Sequence, residues 1–134
     1  MSVRALIVDD SPVVRVVIRY HLAIYGVRGI DEAENAFQAL VLFREKTPNL
    51  TILDLMMPES KGMGSREVFD TIKREAPNTA ILIVSAIPYE RVRETFVSDG
   101  ALDYIVKPFN QISFDRARRK LGRIFPEFSV ARNR

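Results

Sequence analysis

Five short apolar runs, each followed by a stretch with helical spacing, constrain the fold of this chain more than any other feature. Residues 3–8, 50–53 and 80–84 are β-rich and almost unbroken by polar residues. A strand with one wet face alternates apolar and polar residues, whereas a strand covered on both faces does not. Residues 102–106 form a similar run. Residues 27–33 form a weaker one, poor in apolar side chains and so expected near a sheet edge.

The intervening stretches read as helices. Ser11 offers an N-cap, and Pro12 stands where a first helical residue tolerates proline. Val14, Val17, Ile18, His21, Leu22 and Tyr25 then recur at helical spacing, and Gly26 is a natural stop. Asn35 caps a second helix whose inner face is Ala36, Ala39, Leu40 and Phe43, closed by Pro48. A third carries Val68, Phe69, Ile72 and Ala76 and runs to Pro77. A fourth opens at Pro88, carries Val92, Phe96 and Val97, and stops at Gly100. The last has Phe114, Ala117, Leu121, Ile124 or Phe125, and Phe128 at spacings of three and four. Strand and helix alternating in this way imply an α/β fold, a parallel sheet with helices on both faces. Right-handed crossovers leave few topologies.

A length of 134 residues suits one domain. With 47% hydrophobic and 28% charged residues, the composition is that of an ordinary globular chain. No run approaches the roughly 20 apolar residues of a membrane span. The absence of cysteine excludes disulfides and thiolate metal sites. The opening MSVRALIVDD lacks the apolar region of a signal peptide. These features lead us to expect a cytoplasmic protein. The net charge of +3 is concentrated at the end, where Arg116, Arg118, Arg119, Lys120, Arg123, Arg132 and Arg134 face only Glu127. A solvated helix face and a frayed tail account for this better than direct nucleic-acid binding. The closing SVARNR is expected to be disordered.

Functional groups in an open parallel sheet collect beyond the carboxyl ends of the strands. Here the first strand ends in Asp9 and Asp10, the third in Asp54, the fourth in Ser85 and the fifth in Lys107. Taken singly, each has a bland reading as a turn or cap residue. Together they place three carboxylates, a hydroxyl and an ammonium on one rim. Two carboxylates about 4 Å apart repel by roughly 4 kcal/mol at an effective dielectric near 20. A divalent cation reverses that cost, and oxygen ligands without thiols favour Mg2+. A metal beside a carboxylate and a lysine is equipment for phosphoryl transfer, with one carboxylate as nucleophile.

The motifs LIVDDS (6–11), LTILDLMMP (50–58), ILIVSA (81–86) and DYIVKPF (103–109) closely resemble, in order and spacing, the receiver domain of two-component response regulators. The resemblance spans about residues 3–125. It implies a flavodoxin-like, doubly wound five-stranded sheet of order 2-1-3-4-5. It divides the chain into a receiver domain, 1–126, and a tail or start of a linker, 127–134. It further implies Asp54 as phosphoacceptor, and Asp10, Asp9, Asp54 and the Met56 carbonyl as Mg2+ ligands. Lys107 would pair with the phosphoryl group and Ser85 would donate its hydroxyl to it. Tyr104 would be the aromatic switch, Met56 and Ile87 the variable pocket rim, and Lys107–Pro108 a cis peptide. The implied partners are a histidine kinase or phosphotransfer protein, and a downstream protein or a C-terminal output domain. A homodimer through the fourth helix, fifth strand and fifth helix is also implied. The opening DDSPVVR is similar to chemotaxis-type receivers, and a stand-alone regulator, a phosphorelay member and a piece of a longer regulator all fit.

Some positions depart from the family pattern. The loop after Asp54 is about three residues longer, with the excess in KGMGS; Ala36 stands where glycine is common, and Asn49 where aspartate is common. Apolar Met56 and Ile87 cannot orient an attacking water, so the resemblance implies a long-lived phosphoaspartate. His21 is expected to be a packing residue rather than a phosphotransfer histidine. Two other readings stay open. One is a Mg2+-dependent phosphatase with an aspartyl-phosphate intermediate, against which the adjacent Asp9–Asp10 pair, rather than Asp-x-Asp, counts. The other is a binding module that does not use phosphate.

Overall fold

The computed structural model describes residues 2–129. Strands β1 (Arg4–Val8), β2 (Gly29–Ala33), β3 (Leu50–Asp54), β4 (Ala80–Ser85) and β5 (Asp103–Val106) alternate with helices α1 (Pro12–Ile24), α2 (Ala36–Lys46), α3 (Ser65–Glu75), α4 (Glu90–Ser98) and α5 (Gln111–Gly122). All neighbouring strands are parallel and the order is β2-β1-β3-β4-β5, as expected. The weak strand is indeed at an edge.

Side chains alternate between the two faces of the sheet, and each face has its own core. Ala5 and Ile7 of β1 join Ile18 and Leu22 of α1 and Phe114, Ala117 and Leu121 of α5. Leu6 and Val8 point the other way, to Leu40 and Phe43 of α2, Phe69 and Ile72 of α3, and Phe96 of α4. Every residue of β3 and β4 is buried, which accounts for their unbroken apolar sequences.

The helix starts follow local chemistry. Ser11 accepts from the Val14 N–H and Asn35 from the Gln38 N–H, each satisfying a backbone donor that the first turn leaves without a partner. Gly26, after α1, has a φ of 87°, a conformation glycine adopts without penalty. His21 is partly buried, its ring 5.4 Å from that of Phe109, and burial lowers its pKa.

Two expectations need correction. The last helix does not run to Phe128: α5 ends at Gly122, and Pro126–Phe128 form a separate 3-10 turn. That turn returns Phe125 and Phe128 to the core beside Tyr25 and Phe114, while Ile124 is exposed. Phe128 is fully buried and Glu127 accepts the Val3 N–H at 2.8 Å, so both pack with the rest of the described chain. Residues 130–134 of the expected disordered end lie outside the described residues. Finally, α4 starts at Glu90 rather than Pro88, and Val97 faces outward, leaving Phe96 as its one buried residue.

Candidate functional site

Topology opens the site. The chain leaves β1 toward β2 but leaves β3 toward β4, so the loops after β1 and β3 diverge and leave a crevice at the carboxyl ends of the two strands. Asp9 and Asp10 enter it from β1 and Asp54 from β3. One carboxylate oxygen of each lies within 4.8 Å of the other two. Asp9 and Asp54 are buried and Asp10 is exposed.

Lys107, just past β5, reaches into the cluster. Its Nζ lies 3.0 Å from Asp9 Oδ2 and 3.5 Å from Asp54 Oδ2. The Lys107–Pro108 peptide is cis, as the resemblance implies. Burial works against the Lys107 charge, but Asp9 and Asp54 outweigh it and raise the pKa of the ammonium. For Asp54 burial dominates in the other sense and pushes the carboxyl above the usual range. The Met56 N–H and Lys107 pull it down, Asp9 and Asp10 push it up, and the balance is upward.

Backbone and side-chain donors hold the acids in place. The Ser11 N–H donates to Asp9 Oδ1 at 2.9 Å, and Arg15 donates to the Asp9 carbonyl at 2.7 Å. The Met56 N–H donates to Asp54 Oδ1 at 3.1 Å. Asp9 Oδ2 is buried against the Lys107 ammonium, the single cation set among the three acids by the described contacts. Three carboxylates gathered against one ammonium, in a cluster made only of oxygen donors, fit a hard divalent cation such as Mg2+.

The remaining predicted residues form a second group. Ser85 is fully buried at the end of β4, on the strand next to Asp54. Its Oγ accepts the Ile87 N–H at 3.1 Å, and the Ile87 carbonyl accepts the hydroxyl of buried Tyr104 at 2.7 Å. Tyr104 is thus joined to Ser85 through Ile87. At the rim, Met56 is exposed and Ile87 half-buried.

Three contributors escaped the sequence reading. Arg15 carries no local signal of its contact with Asp9. Ser65, the first residue of α3, donates its hydroxyl to the Asp54 backbone carbonyl. Asp103 is fully buried and meets Arg93 and Arg116, each at 2.9 Å, and Lys120 at 3.5 Å, tying β5 to α4 and α5. A carboxylate inside an apolar strand was the available signal for that cluster. Burial would raise the Asp103 pKa, but Arg116, the Tyr104 N–H and Lys120 overcome it and hold the carboxyl below its usual value.

A doubly wound sheet with this acidic, lysine-bearing rim defines a class of α/β domain with a cation- and anion-binding site at its switch point. Residues 5–117 match the family described as response regulator receiver domain, and the chain belongs to that family. It is 35% identical over 109 residues to the chemotaxis protein CheY of Bacillus subtilis (strain 168), covering 81% of this chain and 88% of the relative. It is 36% identical over 107 residues to the probable transcriptional regulator ycf27 of Porphyra purpurea, covering 80% of this chain but 42% of that protein. Among solved structures, it is similar to the response regulator TrrA of Thermotoga maritima in complex with Mg(2+)-BeF. The identity there is 34% and the TM-score 0.74, covering 93% of this chain and 100% of the other. The chain is therefore a receiver domain of a two-component response regulator.

Proposed function

We propose that this receiver takes a phosphoryl group onto Asp54 from the phosphohistidine of a histidine kinase or phosphotransfer protein. The observation that carries this reading is the meeting of Asp9, Asp10 and Asp54 within 4.8 Å, with Lys107 against two of them. An Asp54 oxygen attacks phosphorus, the P–N bond breaks, and its electron pair returns to the imidazole. Asp9, Asp10, Asp54 and the Met56 carbonyl are the groups to hold Mg2+. When bound, that ion neutralises carboxylate and phosphoryl oxygens. Lys107 supplies a further positive charge to the same oxygens, and Ser85 has a hydroxyl proton to donate. That the related Thermotoga protein was solved with Mg(2+)-BeF, a phosphoryl mimic, supports this assignment.

The chain from Ser85 through Ile87 to Tyr104 would couple the site to the face of α4, β5 and α5. Phosphorylation then biases two packings of that face, and a downstream protein, an output domain or a second copy reads it. The internal pairing of basic residues on α5 favours protein over nucleic-acid partners. Arg116 and Lys120 face Asp103, and Arg118 and Arg119 pair with Asp115. None of the described helices is long and apolar enough to cross a membrane, which accords with action in the cytoplasm.

Intact-mass measurement after acetyl phosphate treatment tests the assignment. The parent is expected to gain one phosphoryl group with Mg2+ and none with EDTA, and Asp54→Asn to gain none. Undiminished labelling of Asp54→Asn would refute it. Steady turnover of a phosphomonoester would instead favour the phosphatase.

A further inference from the structure

The loop between β3 and α3 has a defined shape. Ser60 and Met63 exchange both backbone hydrogen bonds, at 2.8 and 3.0 Å. Lys61 and Gly62 between them have φ values of 51° and 75°. This is a two-residue hairpin turn with both central residues left-handed. The Lys61 ammonium lies 4.9 Å from the centre of the Phe37 ring, which attaches the tip to α2. Met63 packs against the α2–α3 side of the core. The Gly64 N–H donates to Glu67 at 2.6 Å as α3 begins. The turn leads into α3 and delivers Ser65, itself buried, to the end of β3.

We infer that Ser65 is a positioning residue for the phosphoacceptor: its hydroxyl, delivered by the hairpin, fixes the peptide that follows Asp54. The hydroxyl donates to the Asp54 carbonyl. Rotation about the Asp54 Cα–C bond would move that carbonyl together with Leu55 and Met56. The Met56 N–H is the donor that orients Asp54 Oδ1. Ser65 therefore restrains the backbone torsion on which the direction of the nucleophilic carboxylate depends. Small misplacements of a reacting group cost rate out of proportion to their size, and groups that orient a metal-binding carboxylate affect its affinity as well.

The inference rests on Asp54 as the phosphoacceptor, and the experiment separates the two. Acetyl phosphate labelling rates are measured across Mg2+ concentrations for the parent, Ser65→Ala, Ser65→Thr and Asp54→Asn. Circular dichroism gives the folded fraction of each. For Ser65→Ala, the rate per folded molecule is expected to fall roughly three- to tenfold, the effect of one lost hydrogen bond. The Mg2+ concentration for half-maximal rate is expected to rise. Ser65→Thr, which keeps the hydroxyl, is expected to stay within about twofold of the parent on the same scale. A merely structural role would change thermal stability and leave both kinetic readouts alone. Equal rates and Mg2+ dependence for parent and Ser65→Ala would overturn the inference, as would equal losses in Ala and Thr. If Ser65→Ala fails to fold, Ser65→Cys, with a weaker donor, is expected to label more slowly than the parent per folded molecule; a parental rate overturns the inference. Labelling of Asp54→Asn at the parental rate would instead overturn the phosphoacceptor assignment.

Discussion

Asp103 shows how much one carboxylate does away from the acidic rim. It is fully buried, takes the Tyr104 N–H at 2.8 Å and faces three cations from α4 and α5. Because its folded pKa is depressed, its contribution to stability is complete above the unfolded value of about 4 and is lost as pH falls through the lower folded value. Asp103→Asn is expected to cost about 2–3 kcal/mol near neutral pH, from loss of charge-assisted hydrogen bonds. Urea melts at neutral and acidic pH check this: the gap to the parent should shrink on acidification, and a constant gap would contradict it. At the rim, Met56 and Ile87 have no polar group to orient water toward a phosphorylated Asp54. Phosphoaspartate, followed by loss of label after removal of the donor, is expected to persist for minutes or longer; decay within seconds would show that another group activates water.

At the scale of elements, the end of α5 is the most instructive. A Cβ built on Gly122 would lie 2.7 Å from the Phe128 carbonyl oxygen, so only glycine lets the 3-10 turn fold back so closely. Gly122→Ala is expected to destabilise by about 1–3 kcal/mol, the usual cost of overpacking. Phe128→Ala is expected to cost about 3–5 kcal/mol through the cavity it leaves. Denaturant midpoints measure both, and a cost for Phe128→Ala under about 1 kcal/mol would mean that the turn is not part of the core. The same region shows what the sequence does not disclose. The apolar spacing from Phe114 to Phe128 correctly names most of the buried residues, but it is compatible with one long helix. The break depends on a contact between Gly122 and a residue six positions later, which periodicity does not encode. Ser11 and Asn35, by contrast, cap helices through bonds three residues away, so their roles are legible locally. Ser65 is hidden for the opposite reason, since its acceptor lies eleven residues back across a hairpin.

Over the whole molecule, two cores clamp a five-stranded sheet whose switch point gathers charges that would otherwise repel. The unbroken apolar runs identify the buried strands, and the first polar residue after each identifies the rim. That logic brought Asp9, Asp10, Asp54 and Lys107 together from residues far apart in sequence, and the structure places them in one cluster. What it left out is the supporting layer of Arg15, Ser65 and Asp103, whose partners are set by tertiary packing. The central claim is that carboxylates from two strands share a cation and make Asp54 the residue that receives phosphate. The most direct test is to treat the protein with acetyl phosphate and Mg2+, reduce the acyl phosphate with borohydride, and map the modified peptide. The account predicts homoserine at position 54 alone, and none when Mg2+ is chelated. Modification at Asp9, Asp10 or another residue, or equal modification without Mg2+, would contradict it.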